Sequence, residues 1–235
     1  MNTIALEFHG EFSAQDVETA LDQFHSDSDF FVLQIGAMDG LSFDPVHGIL
    51  EKYGWPSLRL EPQPEFYSIL LENCRGLPRV GCLNRAVAEY TGEIPLYRIP
   101  PELVINGKAP SWLGGIASIH RDRNALGGKG GIPAETVGLI TNLMTSITVP
   151  CSTLADLIAE RHIHRIDALV IDAEGSDWMI LRQLDFDRFQ PKLIYFEFCN
   201  LPNYERSAAM ALLSSRHYRI FISVSRSDVL AVRVP

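Results

Sequence analysis

A chain of 235 residues with 46% hydrophobic side chains can bury a full core, and its length suits one α/β domain better than two. Its 20 basic and 29 acidic residues leave a net charge of -9, which repels a phosphodiester backbone and sets nucleic acid aside as the main partner. The four cysteines, Cys74, Cys82, Cys151 and Cys199, show neither a C-x-x-C pair nor a histidine at metal-ligand spacing. No apolar run is long enough to cross a bilayer, and the opening residues carry acids where a signal peptide would be basic and apolar. The expectation is a soluble, cytoplasmic protein with reduced thiols and no membrane partner.

Ser13 is placed to cap a helix to about His25, because Val17, Ala20, Leu21 and Phe24 recur at helical spacing; residues 1–29 read as an N-terminal helical extension. FFVLQIG, Phe30 to Gly36, is continuously apolar apart from Gln34 and predicts a strand buried on both faces of a parallel sheet. A helix from Val46 to Tyr53 is followed by a second strand, Ser57 to Pro62. A helix starting near Pro64 then leads to a third strand at Arg79 to Leu83 or, shifted, at Arg85 to Val87. Gly92 to Ile99 predicts a strand outside the main alternation, since Pro95 suits an edge. The Gly-rich stretch 106–133 breaks the rhythm and reads as a candidate lid. Alternation returns with a helix capped by Ser152, the strand DALVIDAEG, a helix carrying Trp178 and Leu181, the strand KLIYFEF, a helix over Glu205 to Ser215, and two closing strands that form a hairpin. The count gives an α/β fold of one domain, 1–235: a doubly wound, mostly parallel sheet of about seven strands with a C-terminal antiparallel pair.

In such a sheet ligands bind beyond the carboxyl ends of the strands. Those ends carry Gly36, Ala37, Met38, Asp39 and Gly40, then Glu61, then Ala86 and Val87, then Asp172 and Glu174, then Glu197. Glu61 stands where an acid accepts hydrogen bonds from a ribose diol. The G-x-G-x-x-G phosphate cradle is absent, with Met38 at the second glycine, and Asp39 would repel phosphate while suiting a cationic ligand. A ribose without phosphate but with positive charge describes S-adenosylmethionine.

The blocks VLQIGAMDGLSFDP, LEPQPEFYSILLENC, NRAVAEYTGEIPLY, DALVIDAEGSDWMILRQLD and IYFEFCNL resemble the successive motifs of the FkbM-type methyltransferases, within the class I S-adenosylmethionine-dependent fold. The resemblance implies a Rossmann-like seven-stranded sheet with a reversed last strand, and methyl transfer to a hydroxyl oxygen of a sugar, glycan or small natural product. It places Gly36, Ala37, Asp39 and Gly40 at the methionine part of the cofactor, Glu61 at the ribose, Ala86 and Val87 at the adenine, and Asp172 near the transferred methyl. The sequence departs from the pattern at Met38, where the family commonly has Asn.

Asp172, Glu174, Glu197 and His120 are the catalytic candidates, with Asp177 a further carboxylate; a base must reach the acceptor's proton. The acids at 172, 174 and 177 would also suit Mg2+ as hard oxygen ligands, although a metal is not the favoured reading. Lys108, Arg121, Arg123 and Lys129 in the glycine-rich stretch leave room for an anionic acceptor, and a homo-oligomer is compatible with the sequence. The alternatives are a nicotinamide-dependent oxidoreductase and a non-catalytic nucleoside-binding or scaffold protein on the same fold.

Overall fold

The computed structural model describes residues 9–123 and 133–234. The chain enters through β1 (Glu11–Phe12) and α1 (Ala14–Asp22), then alternates β2 (Val32–Ile35), α2 (His47–Tyr53), β3 (Ser57–Leu60), α3 (Pro64–Asn73) and β4 (Val80–Leu83). It departs through β5 (Ala86–Val87), β6 (Gly92–Arg98), α4 (Pro101–Ile105), a 3-10 turn (Ser111–Gly114), α5 (Ala134–Leu143) and β7 (Thr145–Ser152). It then resumes with α6 (Leu154–Glu160), β8 (Ala168–Ile171), α7 (Asp177–Leu181), β9 (Leu193–Glu197), α8 (Asn203–Ser215), β10 (Tyr218–Ser223) and β11 (Asp228–Arg233).

The main sheet runs β1-β10-β11-β9-β8-β2-β3-β4. Its one reversed strand is β11, antiparallel to both β9 and β10. The expectation of a seven-stranded, mostly parallel sheet is corrected to a mixed sheet of eight strands, because β1 adds a two-residue parallel edge to β10. A second sheet of three strands, β5-β7-β6, is absent from the sequence reading. Both placements considered for the third strand are occupied, β4 in the main sheet and β5 in the small one. The strand carrying Pro95 lies at an edge of the small sheet, so its missing N–H leaves no unmade central ladder bond.

Local chemistry explains the boundaries. Asp16 reaches back to accept from the Ser13 backbone N–H at 2.6 Å and its hydroxyl at 2.8 Å, fixing the start of α1. Pro64 occupies the first turn of α3, where an N–H would have no partner. The start of α6 differs from expectation: Ser152 ends β7, and Thr153 is the cap, its hydroxyl accepting from Asp156 N–H at 3.0 Å.

Alternation along the strands decides which side chains meet. Leu33, Ile35, Leu58 and Leu60 face the core under α6, α7 and α8, whereas Val32 faces the core under α1 and α2 with Val17, Leu21 and Trp55. Gln34 and Arg59 share that second face and are direct partners in register, so a polar row crosses an otherwise apolar sheet. Residues 1–8 of the expected N-terminal extension lie outside the described residues; its described part is built into the sheet edge and core through Phe12, Val17 and Leu21. No described helix is long and apolar enough to cross a membrane.

Candidate active site at the carboxyl ends of the strands

A cavity of about 260 Å³ opens where β2, β3 and β8 end, in the position that doubly wound sheets reserve for ligands. Its floor is the loop Gly36–Met38 with Glu61, and one wall is Asp172 to Glu174. The small sheet and the 3-10 turn form a roof, contributing Val87, Leu96, Trp112 and Ile116. The roof is stapled down by Gln63 Nε2, which donates to Gly114 O at 2.9 Å, and by Ser118 Oγ, which donates to Glu174 O at 2.7 Å.

The glycine corner works differently from its sequence reading. Gly36 has φ of 84°, and a β-carbon there would sit 1.8 Å from the carbonyl oxygen of Asp172, so it is the neighbouring strand end that requires a bare backbone. At Gly40 a β-carbon would lie 2.5 Å from Leu70 and 3.0 Å from Arg59, again a packing constraint. Asp39 turns inward: its carboxylate accepts from the backbone N–H groups of Leu41 and Ser42 at 2.9 and 2.7 Å and from the Ser42 hydroxyl at 2.7 Å. Neither Asp39 nor Gly40 lines the cavity, whereas Gly36, Ala37, Glu61, Ala86, Val87 and Asp172 do. Met38 takes φ of 46°, a conformation Asn adopts more readily, and its side chain packs against Gly114 and Gly115 under the roof.

Glu61 is buried and held by two backbone donors, Met38 N–H at 2.9 Å and Gln63 N–H at 2.8 Å. Burial outweighs these bonds and pushes its carboxyl up to about 7. Asp172 is open to the cavity yet recessed below the general surface; loss of bulk water, then the charges of Glu197, Asp228, Glu61 and Asp44, hold it well above the usual carboxylate range. Glu197 is likewise raised to about 7 by burial, with Asp228 adding to it. One carboxylate oxygen each from Asp172, Glu174 and Glu197 falls within 4.8 Å of the others. Asn200 Nδ2 links two of them, donating to Glu174 Oε2 at 2.9 Å and Glu197 Oε2 at 2.7 Å.

Two of the expected participants lie elsewhere. Asp177 is fully buried at the start of α7 and accepts from the backbone of Gly175 at 3.2 Å and Ala173 at 3.5 Å, so the trio that a hard cation would need contains Glu197 in its place. His120 lies outside the cavity wall, and burial with Arg123 nearby lowers its pKa. The described basic residues of the glycine-rich stretch do not line the cavity either: Lys108 and Arg121 are exposed and Arg123 pairs with Glu205 at 3.1 Å, while Lys129 and Gly127, 128, 130 and 131 lie outside the described residues. Trp112 lines the cavity and Trp178 packs against the core.

The sequence reading missed Gln63, Ser176 and Tyr195, all of which line the cavity. Gln63 Oε1 and Ser176 Oγ are buried without a hydrogen-bond partner among the described residues, and Tyr195 hydrogen-bonds Asp228. Such unsatisfied atoms are costly when buried and fit a ligand rich in amino and hydroxyl groups. The signal for Gln63 was its position between two prolines directly after a strand.

The raised acids give a pH prediction. Folded Glu61 keeps its proton up to about 7, whereas in the unfolded chain it loses it near 4.5, so between these values the folded state binds more protons and stability is lost as pH rises. For Glu61 alone the effect is on the order of 3 kcal/mol. Thermal melts of the unliganded protein from about pH 5 to about pH 8 should show a fall of several degrees. A flat or rising profile contradicts the charge arrangement, and Glu61→Gln should remove part of the slope.

The methyltransferase FkbM domain profile matches residues 34–220. The fold is similar to the methyltransferase FkbM from Methylobacillus flagellatus KT, at 11% identity and a TM-score of 0.50 over 87% of this chain and 44% of that one. Less than half of that larger protein is therefore spanned, and at this identity the likeness concerns the fold alone. An O-methyltransferase from Bacillus cereus in complex with SAH is matched at 10% identity and a TM-score of 0.43, over 99% of this chain and 85% of that one. No curated protein matches.

Proposed function

This chain belongs to the FkbM methyltransferase family, and from that premise we propose that it transfers a methyl group from S-adenosylmethionine to a hydroxyl oxygen of a sugar, glycan or small natural product in the cytoplasm. The observation that carries the reading is the buried Glu61 carboxylate, fixed at the end of β3 beside the bare Gly36–Met38 backbone and facing the same cavity as Asp172. That arrangement suits a ribose diol and a sulfonium, and Gln63 Oε1 and Ser176 Oγ, without a partner among the described residues, suit the remaining polar groups of a nucleoside. No pyrophosphate cradle accompanies it, which disfavours a nicotinamide cofactor.

The bound sulfonium supplies an already activated methyl group. Glu61 would hold the ribose, and Gly36 and Ala37 would present main chain to the amino-acid part. Asp172 takes the acceptor's proton: a carboxyl with a raised pKa is a stronger base once ionised, and Asp172 lines the cavity together with the roof residues Trp112 and Ile116. Glu197, with Asn200 between it and Glu174, adds negative charge beside Asp172 and keeps that basicity high. The roof residues Trp112 and Ile116 exclude water and hold the two reactants together, from which much of the acceleration comes.

Calorimetric titration with S-adenosylhomocysteine tests the reading. The parent protein should bind it, and Glu61→Ala should weaken binding about 100-fold, the loss of roughly two charge-assisted hydrogen bonds. Equal affinity in both proteins would remove Glu61 from the site, and binding of a nicotinamide dinucleotide instead would favour the oxidoreductase. Absence of methyl transfer to any hydroxyl acceptor in a protein that binds the by-product would favour the silent scaffold.

A further inference from the structure

Phe43 sits at the rim of the cavity with three features that do not belong together in an ordinary surface residue. It is 75% exposed and lines the cavity. Its φ is 58°, in the left-handed region where a bulky aromatic residue is a genuine outlier. Its neighbours, by contrast, are pinned. Ser42 bonds Asp39 through both its N–H at 2.7 Å and its hydroxyl at 2.7 Å. Asp44 is buried against Arg59 and accepts from the N–H groups of Val46 at 2.8 Å and His47 at 2.9 Å. A single exposed apolar side chain needs no explanation, but strain retained by fixed flanks at the edge of a site points to a task.

We propose that Phe43 is the stacking face for the acceptor, and that the acceptor presents a pyranose ring. This deepens the methyltransferase function proposed for the same cavity and rests on it. Phe43 lines the same cavity as Gln34 and Tyr195, and the carboxylates Asp172 and Glu174 line it too. A saccharide has the matching two-sided chemistry. One face of the pyranose ring carries C–H groups that pack flat against an aromatic surface, and its hydroxyls donate to carboxylates such as Asp172 and Glu174. Phe43 thus orients the acceptor while the acids meet its hydroxyls, and it takes no part in holding the donor.

Saturation-transfer NMR on the protein loaded with S-adenosylhomocysteine tests this with the methyl glycosides of glucose, galactose, mannose and rhamnose as probes. At least one glycoside should receive saturation at its ring C–H protons from the parent and from Phe43→Trp, with affinity about tenfold weaker in Phe43→Gly. Phe43→Gly should melt at or above the parent temperature, since glycine adopts this backbone without strain, and should bind S-adenosylhomocysteine as the parent does. No saturation of any glycoside by the parent, or undiminished saturation in Phe43→Gly, overturns the stacking role. Failure of the parent to bind S-adenosylhomocysteine at all is the distinct result that would sink the methyltransferase reading beneath it.

Discussion

Gly36→Ala is expected to melt about 10 °C below the parent and to bind S-adenosylhomocysteine poorly. The new methyl would fall 1.8 Å from Asp172 O and 2.8 Å from its carbonyl carbon, a contact with backbone that no rotamer change relieves. Two costs combine: holding an L-residue at φ of 84° costs about 1–2 kcal/mol, and overpacking costs about 1–3 kcal/mol. To make room the ends of β2 and β8 must part. Asp172 N–H donates to Ile35 O at 2.9 Å across that seam, so the displacement would pass directly into the cavity wall. Gly48→Ala is the control. No described atom lies within 4 Å of its β-carbon position, and it is the second residue of α2, where alanine gives up less conformational freedom than glycine, so the change should be neutral or stabilise by up to about 0.5 kcal/mol. Equal melting temperatures for the two variants would refute the role assigned to Gly36.

Asp44→Asn should cost about 3–5 kcal/mol, because it leaves Arg59, with no exposed surface, without its counter-ion. Arg59 spends its donors on Asp44, on Gln34 Oε1 at 2.7 Å, on Gly40 O at 3.3 Å and on Cys74 Sγ at 3.3 Å, and so ties the glycine corner to the sheet below. The double variant Asp44→Asn with Arg59→Met should recover about 2 kcal/mol of the loss. It removes the stranded charge, and the Asn side chain still accepts from Val46 and His47. Chemical denaturation of the parent, both single variants and the double gives the coupling. A double variant as unstable as the sum of the singles would mean that the ion pair is not the unit holding the corner.

Much of the fold was legible because its strands are short apolar runs bounded by turn residues. Phe30 to Gly36 announced a strand with both faces covered, and Glu61 and Asp172 stood out because each lies directly past the carboxyl end of such a run. Three things were not legible, each for a physical reason. β5 has two residues, and β7 buries only part of itself across Pro150, so neither carries the continuous apolar signal of the central strands. The meeting of Glu197 with Asp172 and Glu174 depends on β9 lying beside β8, which no local pattern encodes; spacing along the chain suggested Asp177 instead. Asp39 in a Gly-x-x-Asp-Gly corner has two chemically reasonable uses, contact with a ligand or closure of its own turn, and only the direction of the carboxylate separates them. A signal was available for the buried polar row: Gln34 and Arg59 are the polar residues within two strands that are otherwise apolar or small, and side by side they predict each other.

The small sheet and the 3-10 turn leave the main sheet after β4 and return to it before β8, so the whole roof is one uninterrupted stretch of chain inserted into a single crossover. Mutation or recombination can therefore rewrite that stretch while the strands bearing Glu61 and Asp172 keep their pairing. On such a plan a lineage can conserve its methyl donor while its choice of recipient drifts, with each half of the chemistry under separate inheritance.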